Sequence, residues 1–351
     1  MKSRALVLSV IVLCMVMLLT GCTNPLSALR DFFKKKTAII NEEPVMDEIA
    51  EKEDLSNVTK EMPDGARATV LYYKDSENLL VPVMRYIPKG DMGIAKAAIK
   101  GMIYSPELSE NIKPIGLYPT LPMGTEILGA TIKEDGLAII DFNENFLGFD
   151  SMEGEALGIK ALVYTLTEFP NITSVQVKIE GEEIEGMIFG TKIGLPLKRS
   201  EINLIKPAKM DDKMAKVMVY YQKKGSGYYS YYVPLTKLVS GYTNSAEAAL
   251  NALLEGPGCD LGLRNPFPDG TKILGVEVND GIAFANFSEE ILNLTSMAEE
   301  RALTKAITLT LGELESISKV RLFVDGHTIE NTESIGSKEY LDIPVFVNFY
   351  E

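Results

Sequence analysis

The stretch Leu121-Pro122-Met123-Gly124-Thr125-Glu126-Ile127-Leu128-Gly129 occurs a second time as Phe267-Pro268-Asp269-Gly270-Thr271-Lys272-Ile273-Leu274-Gly275. This recurrence decides the fold, because the sequence on either side of it recurs too. Upstream, Thr69-Val70-Leu71-Tyr72-Tyr73 returns as Val217-Met218-Val219-Tyr220-Tyr221, and the segment from Ala97 to Pro106 returns from Ala248 to Pro257. Downstream, Gly136-Leu137-Ala138-Ile139-Ile140-Asp141-Phe142 returns as Gly281-Ile282-Ala283-Phe284-Ala285-Asn286-Phe287. The offset is 148 residues at Tyr72/Tyr220, 151 at Pro106/Pro257 and 145 at Gly136/Gly281, so it changes between elements, where loops absorb insertions. A single recurrence of this length is a duplicated domain and not a solenoid.

Read together, the copies give one element order. Each opens with two strands, Ala68 to Tyr73 and Leu79 to Ile87 in the first, Lys216 to Gln222 and Tyr228 to Leu235 in the second. A helix follows; in the second copy Asn244 is placed to cap it and Gly256-Pro257 to end it. Two strands then meet at Asp135-Gly136 or Asp280-Gly281, a hairpin signal. A second helix spans about Gly154 to Phe169, or Ala298 to Leu314, and a last strand ends at Gly181 or Gly326. The fold class is α+β, two tandem β-β-α-β-β-α-β copies, each with a small mixed or antiparallel sheet and two helices packed on one face. The stretch from Tyr340 to Tyr350 reads as an extra strand on the second copy.

The Ala-rich helix ending in Gly256-Pro257, the Pro268-X-Gly270-Thr271 turn, the Gly281-Ile282-Ala283 strand and the helix with Thr308-Leu309-Thr310-Leu311 resemble the GerM domain of sporulation and spore-germination lipoproteins. The first copy matches with Pro122-X-Gly124-Thr125 and Tyr164-Thr165-Leu166-Thr167-Glu168, but has Ser105-Pro106 in place of Gly-Pro. The resemblance implies a scaffolding role, with protein components of a transenvelope sporulation complex as partners, and it brings no catalytic residues.

The N-terminus agrees with export. Lys2 and Arg4 precede an uncharged run from Ala5 to Leu19, and Thr20-Gly21-Cys22 resembles the lipobox of bacterial lipoproteins. That match implies cleavage before Cys22, diacylation of its sulfur and a lipid anchor on the extracytoplasmic face of the cell membrane. The expected organisation is a signal peptide over 1–21, a polar tether over 22–64, a first domain over 65–200, a linker over 201–214 and a second domain over 215–351.

Composition narrows the partners. The 351-residue chain has a formal charge of −14, and loss of Lys2 and Arg4 makes the mature form more acidic, a surface that repels nucleic acid. Chemistry is sparse: no cofactor, no metal site and no small-molecule ligand is expected. His327 is the one histidine and lies at a turn, and Cys259 has no histidine near it in sequence. Asp141 with Glu144, or Glu289 with Glu290, could in principle form a hydrolase pair, but Asp141 matches Asn286, and a strand end running into a polar turn explains both. Tyr228, Tyr229, Tyr231 and Tyr232 are the candidate interaction surface, since exposed aromatics anchor protein interfaces. Two other classes, a solute-binding lipoprotein serving a transporter and a cell-wall-modifying enzyme, share an exported acidic chain with two lobes.

Overall fold

The computed structural model describes residues 62–88, 93–207, 214–225, 229–242, 244–258, 260–328 and 339–351. The signal segment with Cys22, most of the tether, and also Cys259 and Tyr228, lie outside the described residues.

Copy 1 begins with the antiparallel hairpin of β1 (Ala66–Lys74) and β2 (Leu80–Pro88). Helix α1 (Ile94–Lys100) follows, then α2 (Pro106–Ile112). The departure at Ser105-Pro106 starts this additional helix: Ser105 Oγ accepts the Leu108 amide at 3.1 Å and Pro106 occupies the first turn, where its missing N–H costs nothing. Strands β3 (Ile127–Ile132) and β4 (Leu137–Phe142) form an antiparallel pair, and β4 runs through α3 (Met152–Thr167) into β5 (Ser174–Ile179), which joins β4 in parallel.

After β6 (Leu204–Ile205), copy 2 repeats the plan with the hairpin β7 (Ala215–Lys224) and β8 (Ser230–Val239), α4 (Ser245–Leu254) and the short β9 (Leu263–Arg264). Strands β10 (Ile273–Asn279) and β11 (Ile282–Phe287) lead through α5 (Met297–Gly312) to β12 (Lys319–Val324), β13 (His327–Thr328) and β14 (Leu341–Asp342). Asn244 caps α4 as its position implies, its Oδ1 accepting from Ala246 and Glu247, and Gly256 ends the turn at φ 81°. Asp280 and Gly281 both have positive φ, 49° and 79°, the geometry of a two-residue hairpin turn.

The α+β class holds, and the strands of each copy divide into two separately hydrogen-bonded sheets, one built on the opening hairpin, which β6 and β9 extend in copy 2, and one on a mixed group of three strands, which β13 and β14 extend in copy 2. The long helix explains the division. On α3, Glu155, Gly158, Ile159 and every residue from Ala161 to Leu166 are buried, too much of the circumference for one apolar stripe. It therefore lies as a middle layer, packed on β1 and on β5, and α5 does the same with β7 and β12. Tyr73 and Tyr221, fully buried in the hairpins, donate their hydroxyls to Gly101 O at 3.0 Å and Ala252 O at 2.9 Å, satisfying helix-end carbonyls.

The two copies are joined by their trailing segments. Residues 202–205 leave copy 1 and pair in parallel with β8 of copy 2, with Leu204 opposite Thr236. The final segment leaves copy 2 and pairs in parallel with β2 of copy 1, Phe349 opposite Met84. Each copy thus completes the hairpin sheet of the other. The C-terminal stretch does add a strand to copy 2, through β14 on β12, but its last residues belong to the sheet of copy 1.

Two asparagines fix this crossing. Asn203 accepts the Leu80 amide at 2.9 Å and donates to Leu80 O at 2.8 Å and Pro234 O at 2.7 Å. Asn348 accepts the Tyr232 amide at 2.7 Å and donates to Tyr232 O and Pro82 O, both at 2.8 Å. Leu80 and Tyr232, and Pro82 and Pro234, are equivalent in the hairpin registers, so the two bridges are related as by a two-fold axis. Proline is tolerated in mid-strand because Pro82 and Pro234 stand opposite Tyr72 and Tyr220, whose amides point away from β2 and β8 to Thr165 and Thr310.

Candidate functional site

The residues that recur in both copies converge where the copies meet. On each long helix a threonine and a glutamate three residues later face the middle of the opening strand. Thr165 Oγ1 accepts the Tyr72 amide at 3.1 Å and Glu168 accepts the Tyr72 hydroxyl at 3.0 Å. In copy 2, Thr310 accepts the Tyr220 amide at 3.1 Å and Glu313 accepts the Tyr220 hydroxyl. The Thr-X-X-Glu spacing works because i and i+3 lie on one helix face.

Both constellations open on one cavity of about 230 Å³, lined by the equivalent pairs Tyr72/Tyr220, Pro82/Pro234 and Glu168/Glu313, with the tail residues Ile343 to Asn348 along one wall. The symmetry is broken by Arg199, whose guanidinium pairs with Glu168 and sits 4.8 Å above the Tyr164 ring. An adjoining cleft of about 440 Å³ is lined by Tyr164, Arg199 and Glu201 from copy 1 and its tail, and by Lys216, Thr310 and Glu313 from copy 2.

Electrostatics follow from burial. The Tyr72 and Tyr220 hydroxyls are pushed well above their usual range, first by desolvation and then by the carboxylate beside each. Burial also raises the Glu313 carboxyl, and Glu168 adds to the rise, while the Tyr220 hydroxyl and Arg199 oppose it. A carboxyl raised in the folded state contributes stability that is complete below its ordinary value of 4.5 and is lost as pH climbs through the folded value. Glu313→Gln keeps an acceptor for Tyr220, so its melting temperature is expected to fall less steeply than the parent's as pH rises above 4.5. Parallel slopes in thermal melts would remove Glu313 from this account.

Of the carboxylates read from sequence, Asp141 holds a turn. Asp141 Oδ1 accepts the Gly181 amide at 2.8 Å and Asn286 Oδ1 accepts the Gly326 amide at 2.9 Å, so one turn is held in both copies by an acid in one and an amide in the other. Glu144 donates its backbone amide to Glu180. His327 is exposed on β13. Among the described residues no group of three His, Cys, Asp or Glu side chains is arranged to hold a metal ion, and no helix is long and apolar enough to cross a membrane.

The tyrosine surface needs correction. Tyr229, Tyr231 and Tyr232 are 3%, 1% and 2% exposed, so they present no face to an outside partner. The expectation took the hairpin as having one solvated side; instead Tyr229 donates its hydroxyl to Phe349 O of the tail at 2.8 Å, and Tyr232 lies against α5, its hydroxyl 3.4 Å from Ala302 O. The junction residues Asn203, Asn348, Glu168 and Glu313 were missed. Extending the 145-residue offset past the last strands would have aligned Ile202-Asn203-Leu204 with Val347-Asn348-Phe349 and Glu168 with Glu313.

The family model described as Germane, sporulation and spore germination, matches residues 70–185 and again 218–330, once over each copy. The chain belongs to this family. It is 30% identical over 275 residues to the spore germination protein GerM of Bacillus subtilis (strain 168), covering 75% of this chain and 74% of that one. It is also similar to the solved tandem GerMN domains of the sporulation protein GerM from Bacillus subtilis, with a TM-score of 0.69 and 29% identity over 82% of this chain and all of that one. The family's domain is therefore present here as a tandem pair.

Proposed function

We propose that this member of the family is a membrane-tethered, non-enzymatic lipoprotein that serves as a scaffold for envelope assembly in sporulation or spore germination. The observation that carries the reading is the reciprocal crossing of residues 202–205 and 348–350, which ties each copy to the hairpin of the other. Two lobes that close on a solute need a hinge. Here each lobe is stitched into the sheet of the other, so the fold favours a rigid spacer over a solute-binding protein. A wall hydrolase is disfavoured by Asp141, whose carboxylate is engaged in a turn that Asn286 holds equally well.

The lipid anchor is part of this proposal. Residues 1–21 act as the signal peptide, Cys22 carries the lipid on the extracytoplasmic face, and residues 22–64 form the tether that lets the body reach protein components of a transenvelope complex. Two acyl chains hold a protein at a bilayer where one holds it only reversibly.

Crosslinking and recovery of the full chain from sporulating cells, beside a Cys22→Ala form, tests both halves. The parent is expected in the membrane fraction with envelope-assembly proteins attached, and Cys22→Ala is expected to lose the membrane fraction and those partners. Recovery of the parent in the soluble fraction would sink the tether; recovery in the membrane with no protein crosslinked would sink the scaffold.

A further inference from the structure

The hairpin tips of the two copies meet in an ion pair that belongs to neither copy alone. Lys223 Nζ, on β7, lies 2.7 Å from Asp75 Oδ2 at the end of β1, with side-chain exposures of 8% and 0%. Asp75 is already committed to its own turn, its other oxygen accepting the amides of Glu77 and Leu79 at 2.9 Å each. A second carboxylate, Glu77, stands 3.7 Å from the same ammonium.

What gives the pair its meaning is its position in the repeat. Asp75 and Lys223 are separated by the same 148 residues as Tyr72 and Tyr220, so they are the same position in the two copies. The hairpin registers agree, since the Asp75 amide bonds Leu79 O and Lys223 pairs with Tyr231, the matching place. When two like modules pack about a two-fold axis, equivalent positions near the axis face each other. Two identical copies would bury Asp against Asp, or Lys against Lys. Like charges buried at such a separation repel strongly in a low dielectric, whereas the attraction of an unlike pair is largely cancelled by the cost of desolvating both ions. A buried pair of this kind adds little strength to the contact but penalises the wrong partner heavily.

We propose that Asp75 and Lys223 select the unlike copy as partner, so that copy 1 closes on copy 2 and like copies of neighbouring molecules are refused. The surface that joins the copies is then reserved for the tandem itself.

The test uses the full chain without its signal segment, followed by thermal melting and by light scattering during size exclusion. Lys223→Glu makes copy 2 resemble copy 1 at this position, and its melting temperature is expected to fall by about 10 °C. The uncharged double variant Asp75→Asn, Lys223→Met keeps the turn acceptor and is expected to stay within about 3 °C of the parent as a monomer. Asp75→Asn added to Lys223→Glu removes the repulsion and is expected to melt above Lys223→Glu. If Lys223→Glu does not fold, folding of Asp75→Asn, Lys223→Glu supports the proposal, and failure of both overturns it. The proposal is also overturned if the uncharged double variant falls as far as Lys223→Glu, which would make the pair a source of strength, or if Lys223→Glu melts with the parent.

Discussion

Asn348→Ala is expected to lower the stability of both copies at once, by about 3 kcal/mol. The side chain is 1% exposed and makes three hydrogen bonds, one from the Tyr232 amide and one each to the carbonyls of Tyr232 and Pro82. Alanine leaves all three backbone groups facing a space too enclosed for ready hydration, and each unsatisfied buried group costs about 1–3 kcal/mol. Because the bridge spans β2 and β8, the loss is not confined to the second copy. Hydrogen exchange read at Met84 and at Tyr232 should speed up in both hairpins, and denaturant unfolding should shift to lower midpoint without separating into two transitions. Faster exchange in copy 2 alone would mean that the C-terminal segment serves only its own domain.

Glu155→Ala is expected to cost about as much, through a different route. The carboxylate is completely buried in the first turn of α3, and it accepts the Phe189 amide at 2.8 Å and the Thr191 amide at 2.9 Å. Burial alone would raise it; the hydrogen bonds from Phe189 and Thr191 outweigh burial and leave the carboxyl below its ordinary value. An acid there also sits well in the field of the helix N-terminus. Removing it strands two amides and opens a small cavity, together worth about 3–4 kcal/mol. The turn from Gly186 to Lys192, which carries the exposed Ile188 and Phe189, should become the first site of limited proteolysis. Glu155→Gln keeps one acceptor and should lose about half as much. Cleavage elsewhere first, with unchanged stability, would show that the loop holds itself in place.

These two residues mark the boundary of what the sequence makes legible. Elements with local chemistry are readable: the Asp280-Gly281 turn, the Asn244 cap and the helices whose apolar residues recur at helical spacing all stand where their patterns put them. The tandem arrangement was equally plain, because duplication writes each signal twice. Two kinds of feature left no local trace. The division of each copy into two sheets depends on a helix buried around most of its circumference, and its apolar pattern is that of any core helix. The crossing of the tails depends on pairings such as Met84 with Phe349, which a strand pattern at residues 340–350 implies only as a strand, with no indication of whose sheet it enters. For the same reason the tyrosines of β8 looked like a surface: alternation gives two faces, and only tertiary contact says that both are covered.

The crossed tails also impose an order in time. A chain synthesised N-terminus first delivers copy 1 well before residues 348–350, and until they arrive β2 keeps an open edge with the Met84 amide and Pro82 carbonyl unmet. Copy 1 therefore waits, incompletely sealed and adhesive along one strand, for the whole of copy 2 to be made. A chain cut short by even its last few residues would be weakened in the domain farthest from the cut as well as in the nearer one, so completion of the first domain depends on the last residues of the second.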